Sequence, residues 1–217
     1  MTWYLGDLIP YLPLILRGLW VSIYVSVASF LAGSALGLLA YRAKAGESAT
    51  LRRISSAYIE VVRNVPLLVV LYLIYFGLGQ FGINLDPLWS TLIALTINNG
   101  AYVAEILRAG FDSVPGGLRE AAQALGMSSR QTFRYVIFTP GIRKVFPALT
   151  NQFILLFLFS SVASVIALPD LTNALMTVNS NTLRTFEVFT VGALLYYAVS
   201  SVLAVGSRIG EKRLFKW

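Results

Sequence analysis

Polar side chains that interrupt long apolar stretches are the residues of this sequence with the most chemistry to offer. Asn98 and Asn99 stand in the middle of one apolar stretch, and Ser160, Ser161 and Ser164 stand in another. Amides and hydroxyls hold solutes by hydrogen bonds. Polar groups among apolar residues are costly, so they usually face a bundle interior or a water-filled path. These residues are therefore candidates for contact with a polar solute, and none of them indicates bond-making chemistry.

A second polar group lies nearer one end of the same stretches. Its members are Glu60, Arg63, Glu105, Arg108, Asn151 and Gln152. We interpret this group mainly as a network that packs the mouth of the bundle, and we keep Arg63, Glu105 and Gln152 as candidates for a solute path. For Asn98 and Asn99, path lining and helix–helix hydrogen bonding are equally open. The three serines are expected to bond back to carbonyls of their own helix.

Several kinds of site are excluded by what the sequence lacks. It contains no cysteine and no histidine, so disulfides, thiolate metal sites and the usual proton relay are absent. Nothing resembles Gly-x-x-x-x-Gly-Lys-[Ser/Thr], the loop that cradles nucleotide phosphates. We expect no catalytic residue, no metal site and no cofactor bound by this chain.

Composition identifies the elements that must position these side chains. Of the 217 residues, 57% are hydrophobic and 12% are charged, whereas a soluble domain has about 25% charged residues. The sequence therefore predicts an all-α membrane protein with one domain over 1–217. It predicts five membrane spans: 12–41, 55–78, 88–107, 146–168 and 188–207.

Charge distribution predicts how these spans are oriented. Most basic residues fall in three segments, 42–53, 108–144 and 208–217, while the N-terminus and the segments 79–87 and 169–187 hold only Arg17 and Arg184. The positive-inside rule then places the N-terminus outside and the C-terminus in the cytoplasm. The net charge of +7 is explained by topology, so nucleic acid is not an expected partner. The first residues carry no basic cluster, and a cleaved signal peptide is not expected.

Three local signals concern how the spans are built and anchored. Gly33 and Gly37 form a Gly-x-x-x-Gly pattern, which favours close packing with a helix of the same subunit over a dimer contact. Pro66 is expected to kink the second span. The four tryptophans near span ends are expected to anchor at the membrane interface: Trp3, Trp20, Trp89 and Trp217.

The loop 109–144 contains a short stretch with helix signals at both ends. Pro115-Gly116-Gly117 predicts a turn, and Leu118, Ala121, Ala122 and Leu125 then follow at helical spacing. Gly126 suits a C-terminal cap. Ser128 and Gln131 have the spacing of a capping box, so a second helix is expected at once. The sequence therefore predicts a stubby cytoplasmic helix between two bends, available to another protein.

This stretch carries a resemblance to a known family. Glu120-Ala121-Ala122, three residues and then Gly126 resemble the EAA motif of permease subunits of bacterial ATP-binding-cassette importers. Further matches to the polar amino-acid branch of that family extend over nearly the whole chain. They are the segments 58–68, with Arg63-Asn64-Val65-Pro66-Leu67-Leu68, then 75–78, 102–110 and 151–153.

The sequence also departs from the pattern of the family at three places. Gly116-Gly117 replaces a usual Gly-Gln, and the proline at 140 stands one place later than in the motif. Leu158-Phe159-Ser160-Ser161 replaces a Lys-Asp-Thr-Ser run and so lacks two charges. A sister subunit that supplies polar groups is therefore an open alternative.

The resemblance implies a transmembrane subunit that is not itself an enzyme. A cytoplasmic ATPase dimer, which holds ATP and Mg, would grip the short helix. The implied contact residues are Arg119, Glu120, Ala121, Ala122, Leu125 and Gly126. The other implied partners are a second permease subunit, identical or similar, and a periplasmic or lipid-anchored binding protein. The implied location is the bacterial inner membrane, in contact with membrane lipid.

Other functional classes are weighed against this one. An ion-gradient transporter or channel would place carboxylates in mid-span and show inverted repeats, and neither is evident. A purely structural scaffold would leave the short helix without a role. An amphipathic helix on the lipid surface is disfavoured because the stripe is thin and lacks an aromatic anchor. The sequence favours glutamate, aspartate or a broad range of polar amino acids as solutes over basic ones.

Overall fold

A computed structural model describes residues 6–214, and Trp3 and Trp217 lie outside these residues. The described chain is helical. Its α-helices are α1 (Leu12–Ala45), α2 (Ala49–Asn64), α3 (Leu67–Tyr72), α4 (Pro87–Asp112), α5 (Gly116–Ala124), α6 (Ser129–Gln131), α7 (Phe138–Phe159), α8 (Leu171–Thr182) and α9 (Thr185–Leu214). Before and between them lie 3₁₀ turns at Gly6–Tyr11, Leu78–Phe81 and Ser160–Ile166 and π-helical turns at Leu73–Gly77 and Thr132–Ile137.

Helices α1 and α4 pack together at the centre of the fold. A β-carbon on Gly33 would lie 2.6 Å from Nδ2 of Asn99, and one on Gly37 would lie 2.7 Å from the carbonyl oxygen of Gly100. Such approach is possible only where both helices present small residues or backbone. The prediction that the Gly-x-x-x-Gly pattern packs within the same subunit is confirmed.

The predicted second span, 55–78, is divided into two helices at the proline that was expected to kink it. Helix α2 ends at Asn64, α3 begins at Leu67, and the two axes differ by 108°. Pro66 lacks a backbone donor and disfavours the helical conformation in the residue before it, and Val65 is extended. The signal for a kink was therefore right, and the break it produces is larger than a kink.

Length and apolarity identify three helical segments able to cross a membrane among the described residues. They are Gly6–Ala45, Ser129–Ile166 and Thr185–Arg213, and the bent pair α2 and α3 would make a fourth. Helix α4 has 26 residues but is not among them. The predicted count of five therefore depends on α4, which packs against α1, α2 and α7 and buries Asn98 and Asn99.

The stretch 169–187, which lies between the predicted spans 146–168 and 188–207, contains the half-buried helix α8. Its residues Leu171, Leu175 and Val178 are at most 2% exposed and pack with Ile15 of α1. A carboxylate oxygen of Asp170 accepts from the backbone nitrogen of Asn173 at 2.8 Å and so caps the helix start. Burial raises the pKa of Asp170 to about 7.

Candidate functional site

Helix α5 is the short helix predicted within the loop 109–144. It begins at Gly116, so the two glycines form its first turn and do not precede it. Gly126 has φ +75°, and the backbone nitrogen of Met127 donates to the carbonyl of Ala122 at 3.1 Å. This is the Schellman arrangement expected where glycine follows a helix. The capping box of Ser128 and Gln131 is present as predicted.

The predicted apolar stripe of α5 divides into one buried anchor and an exposed remainder. Ala122 is 3% exposed and is the buried residue of this helix, while Leu118 and Leu125 are 44% and 82% exposed. Arg119, Glu120 and Ala121 are exposed as well. The helix packs on Thr132–Ile137 and presents the rest of its surface outward.

Polar and aromatic contacts hold the ends of this loop to the bundle. Arg119 donates to the carbonyl of Phe111 at 3.4 Å, and Lys144 donates to that of Ser113 at 3.2 Å. The ring of Phe111 lies 5.5 Å from Phe133 and 5.8 Å from Tyr41. A displacement of α5 would therefore meet a packed surface that belongs to α1, α4 and α7.

Glu105 is the centre of an ion cluster beside the ends of α1 and α2. Arg108 donates to it from Nε at 3.0 and 3.1 Å and from Nη2 at 2.5 Å, and also bonds Asp112 at 3.0 Å. Lys44 Nζ and Arg63 Nη1 lie 3.9 and 3.8 Å from the same carboxylate. Three members of the predicted network, Arg63, Glu105 and Arg108, thus meet here, together with Lys44, which was not expected. The other three do not join them: Glu60 and Asn151 are exposed, and Gln152 bonds Asn99.

Two open clefts meet at Arg63. The charged cleft, of about 510 Å³, is lined by Lys44, Ser56, Ile59, Glu60, Arg63, Asn64, Tyr102, Glu105 and Arg108. The Asn98 cleft, of about 470 Å³, is lined by Arg63, Asn64, Val65, Pro66, Leu67, Leu68, Asn98, Tyr102, Phe159 and Val162. Both volumes fall within the range of small-molecule sites. Arg63, Asn64 and Tyr102 line both clefts, so the two clefts are neighbours.

The two asparagines, which sequence alone could not separate, have different surroundings. Asn99 is fully buried, donates to the carbonyl of Phe30 at 3.3 Å and accepts from Gln152 at 3.2 Å. Asn98 lines the cleft, and its Oδ1 has no partner among the described residues. Asn99 and Gln152 are therefore helix–helix contacts, and Asn98 is the asparagine left with an unused acceptor.

The candidate serines bond within their own segment, as predicted. Ser160, Ser161 and Ser164 each donate to the carbonyl three residues earlier, at 2.7, 2.7 and 2.8 Å. Phe159 and Val162 of this segment line the Asn98 cleft instead. The part of the serines in a solute path stays a prediction.

The comparison with known families decides the class of the protein. Residues 12–216 match the family described as the binding-protein-dependent transport system inner membrane component. The chain belongs to this family. The predicted localisation in the inner membrane is therefore confirmed at the level of the family.

Named relatives support the assignment of this inner membrane component to the amino-acid branch of the family. It is 34% identical over 201 residues to the "Probable amino-acid ABC transporter permease protein YckA" of Bacillus subtilis (strain 168), covering 93% of this chain and 89% of the relative. It is 32% identical over 207 residues to the glutamine transport system permease protein GlnP of Escherichia coli (strain K12), covering 94% of each. The resemblance stated from the motifs is confirmed.

Solved structures agree with this assignment. A chain of a crystal structure of an amino acid ABC transporter with histidines superposes with a TM-score of 0.94 at 37% identity, covering 98% of this chain and all of the other. A chain of the MetNI methionine ABC transporter, in an inward facing conformation, has a TM-score of 0.77 at 21% identity, covering 94% and 98%. The second likeness shows the fold alone.

Two residues of this inner membrane component were missed as candidates. Lys44 was assigned only to a basic loop that sets topology, and Tyr102 only to a motif match. The signal for Tyr102 was its position one helical turn after Asn98, which places both on one face of α4. No local pattern could have brought Lys44 to Glu105, because they belong to different helices.

Proposed function

We propose that this chain is the transmembrane subunit of an ATP-driven importer of polar amino acids, with glutamine as the first candidate solute. One observation carries the proposal: α5 is a capped helix that carries the EAA motif, is fixed to its own chain mainly through Ala122, and exposes the remainder. A helix so placed suits docking into a cleft of a partner. Family membership supports the partner being an ATPase.

In this proposal α5 transmits force from a motor that the chain does not contain. ATP and Mg are bound by a cytoplasmic ATPase dimer, and each half holds one α5. The contact residues are Arg119, Glu120, Ala121, Ala122, Leu125 and Gly126. Glu120 is favoured near the positive end of the helix and is free to meet a basic residue of the ATPase. Closure of the ATPases then displaces Thr132–Ile137 and the aromatic residues packed behind it.

The membrane topology of the proposal has five crossings. The pair α2 and α3 forms one broken crossing, and α4 forms a polar crossing that is shielded by α1, α2 and α7. The N-terminus is outside and the C-terminus is cytoplasmic, in keeping with the basic residues at the ends of α1 and α9. The segments 79–87 and 169–187 then face the soluble binding protein.

The proposed solute path follows the two clefts. Asn98 supplies the unused acceptor in the upper part of the path, and Arg63 and Glu105 supply charge in the lower part. Phe159 and Val162 line the Asn98 cleft, and Ser160, Ser161 and Ser164 belong to the same segment of the chain. A second permease subunit, identical or similar, closes the open side of the clefts. Relatives named for glutamine, arginine and cystine support polar amino acids as a class.

The first test of the proposal is assembly with an ATPase. The chain is coexpressed with a candidate ATPase of an amino-acid importer from the same organism and purified by a tag on the permease. We expect the ATPase to copurify with the unaltered chain, and Glu120→Lys and Gly126→Val to reduce the ATPase recovered by about tenfold. Glu47→Lys, in the exposed loop after α1, is the matched control and should retain it.

The second test is transport by the complete complex in vesicles. Uptake of labelled L-glutamine, L-glutamate, L-arginine and L-cystine is measured with ATP inside and a binding protein outside. We expect uptake of at least one of these amino acids that requires both ATP and the binding protein. Uptake that continues without ATP and follows an ion gradient would assign the chain to the secondary transporters instead.

A further inference from the structure

We propose that a groove between α1, α7 and α9 binds an acyl chain of an anionic phospholipid from the cytoplasmic leaflet, and that this lipid joins α9 to α1. We call it the α1–α9 groove, and it shares no lining residue with the two clefts of the proposed solute path. The inference goes beyond the proposed function, because it requires only that these helices cross the membrane with the basic end of α9 in the cytoplasm.

The α1–α9 groove exists because α1 and α9 both pack on α7 but hardly touch each other within the described chain. Its volume is about 440 Å³, and its walls are formed by residues within 23–27 of α1, 153–157 of α7 and 198–203 of α9. Phe157 is 1% exposed and belongs to its floor, whereas Val27 and Val202 are 41% and 71% exposed and belong to its rims. The groove therefore opens to whatever surrounds these helices.

The lining of the α1–α9 groove suits an acyl chain and not a polar solute. No polar atom of the described residues is exposed in it, and the hydroxyl of Ser26 donates to the carbonyl of Ser22 at 2.6 Å. A polar solute would lose hydration there without gaining hydrogen bonds. A helix of a second permease subunit is about 10 Å across, so it could lie over a groove of this volume but not enter it.

The position of the α1–α9 groove gives membrane lipid access to it. Its three walls belong to the three continuous helical segments of the described chain that are long and apolar enough to cross a membrane. The groove lies near the middle of α1 and of α9. It is therefore at the depth of the hydrocarbon core, where the molecules available to fill it are lipids.

The face of α9 that lines the groove continues to a cation at the end of the helix. Arg213 follows Val202 by eleven residues, or three turns, and so lies about 16 Å further along nearly the same face. Gly206 lies between them, and a β-carbon built on it would have nothing within 4 Å. The distance is close to half the hydrocarbon thickness of about 30 Å, which is the depth that the acyl chains of one leaflet fill.

A second cation belongs to the neighbouring helix at the same level. Helices α7 and α9 still lie side by side there, because a β-carbon on Gly210 would be 3.8 Å from the ring of Phe146. Arg143 and Arg213 each stand one turn beyond this contact toward the cytoplasm, and both are exposed. Two arginines near the end of an apolar groove match the phosphate of a phospholipid whose chain occupies the groove.

A photoreactive phospholipid tests the site directly. The permease, purified with its ATPase partner, is placed in phosphatidylcholine vesicles that contain some phosphatidylglycerol with a photoreactive group in its acyl chain. Labelling of residues 23–27, 153–157 and 198–203 should exceed that of other exposed apolar faces several-fold. Val199→Trp, which fills the groove, should reduce this labelling several-fold. Val205→Trp, on an exposed part of α9 outside the groove, is the matched control and should not. Even labelling of all faces would overturn the inference.

The headgroup is tested by a second pair of variants. Labelling by photoreactive phosphatidylglycerol is compared with labelling by phosphatidylcholine that carries the same chain. Arg213→Gln should reduce the preference for phosphatidylglycerol about fivefold, the contribution of one basic residue at a membrane surface. Lys212→Gln removes the same charge about 100° around the helix and should retain the preference. Because the groove is unaltered in both variants, this comparison stands even if Val199→Trp does not assemble. Equal preference in both variants would overturn the assignment to an anionic phospholipid.

A single thiol distinguishes lipid from a second permease subunit as the occupant. The chain contains no cysteine, so Ala198→Cys provides a unique attachment point for a photocrosslinker in the α1–α9 groove. Adducts with phospholipid are expected, and crosslinks to a second permease subunit in their place would overturn the inference. Each of these readouts is lipid binding, so a failure of ATP-dependent uptake would count against the proposed function alone.

Discussion

The short helices α5 and α8 both connect long helices, but they relate to the rest of the chain in opposite ways. Helix α5 buries Ala122 and exposes the remainder, whereas α8 buries a whole face against α1. In α8 the start is also fixed, because Ser22 of α1 accepts from the backbone nitrogen of Leu171 at 3.1 Å. The difference shows that α8 is part of the packed fold of this chain, while most of the surface of α5 is exposed.

The C-terminal ends of the two helices also differ, in the backbone strain of the residue that follows each helix. Both end in a left-handed residue, Gly126 after α5 and Leu183 after α8. Glycine adopts this conformation without steric cost and leucine does not. The exposed helix therefore has an unstrained end, and the buried helix is held by packing in spite of a strained one. Five substitutions test this contrast, in order of decreasing expected effect.

The largest effect is expected where α8 touches α1. Gly18→Val would place a β-carbon 2.6 Å from the carbonyl oxygen of Asp170 and 2.9 Å from Cβ of Ala174. Because the first neighbour is backbone, α8 must move, and we expect a loss of about 3 kcal/mol or more in stability. Thermal unfolding of the purified complex measures it. Gly206→Ala, with nothing within 4 Å of the new carbon, is the control and should be neutral or slightly stabilising.

A pH-dependent effect is expected from the cap of α8. The pKa of Asp170 is raised by burial to about 7, above its value in the unfolded chain, so the folded state binds the proton more tightly. Stability from this group is therefore present at acidic pH and declines as pH rises toward 7. Asp170→Asn, which can still cap a helix, should remove a difference on the order of 2 kcal/mol between pH 5 and pH 7.5. An unchanged pH profile of thermal unfolding would contradict this.

A smaller effect is expected at the anchor of α5. Ala122→Glu would bring a charge against Thr132–Ile137, and α5 should detach at a cost of about 1–2 kcal/mol, limited because the helix can move into water. Limited proteolysis of the permease without its ATPase should then cut the segment 113–128 faster. Ala124→Glu, on the exposed face of the same helix, should leave the cleavage rate unchanged. Equal sensitivity of both variants would mean that Ala122 is no anchor.

The smallest effects are expected at the two helix ends, and they should have opposite signs. Gly126→Ala has open space around the new carbon, so only backbone strain acts, and about 1 kcal/mol should be lost. Leu183 is 85% exposed, so Leu183→Gly loses little packing and should gain up to about 1 kcal/mol. Unfolding curves of both variants measure the signs. Stabilisation by Gly126→Ala would contradict the contrast.

The sequence predicted α5 better than α8 for a physical reason. The signals of α5 are local, because Gly126, Ser128 and Gln131 act on backbone groups within a few residues. Helix α8 is rich in Asn, Thr and Ser, and its apolar residues are few, so its composition resembles that of a connection. Its burial depends on Gly18 and Ser22, which lie far away in the chain.

The same distinction separates the predicted from the unpredicted parts of the site. The sequence predicted that Asn98 and Glu105 place polar groups within the helical bundle, because both residues interrupt apolar stretches. Which asparagine faces a cleft depends on where Gln152 of α7 lies, and the charged cleft depends on Lys44 of α1 meeting α4. Contacts of this kind are set by packing between helices, and they cannot be predicted from periodicity or composition.

The polar character of α4 has a consequence for how the protein is made. Asn99 finds its partners only on α1 and α7, and α7 is synthesised after α4. Polar groups among apolar surroundings are costly until they are paired. The amide nitrogen of Asn99 can bond α1 as soon as α4 is made, but its oxygen finds Gln152 only after α7 has followed, so the polar pairing of α4 is completed in the order in which the chain is synthesised.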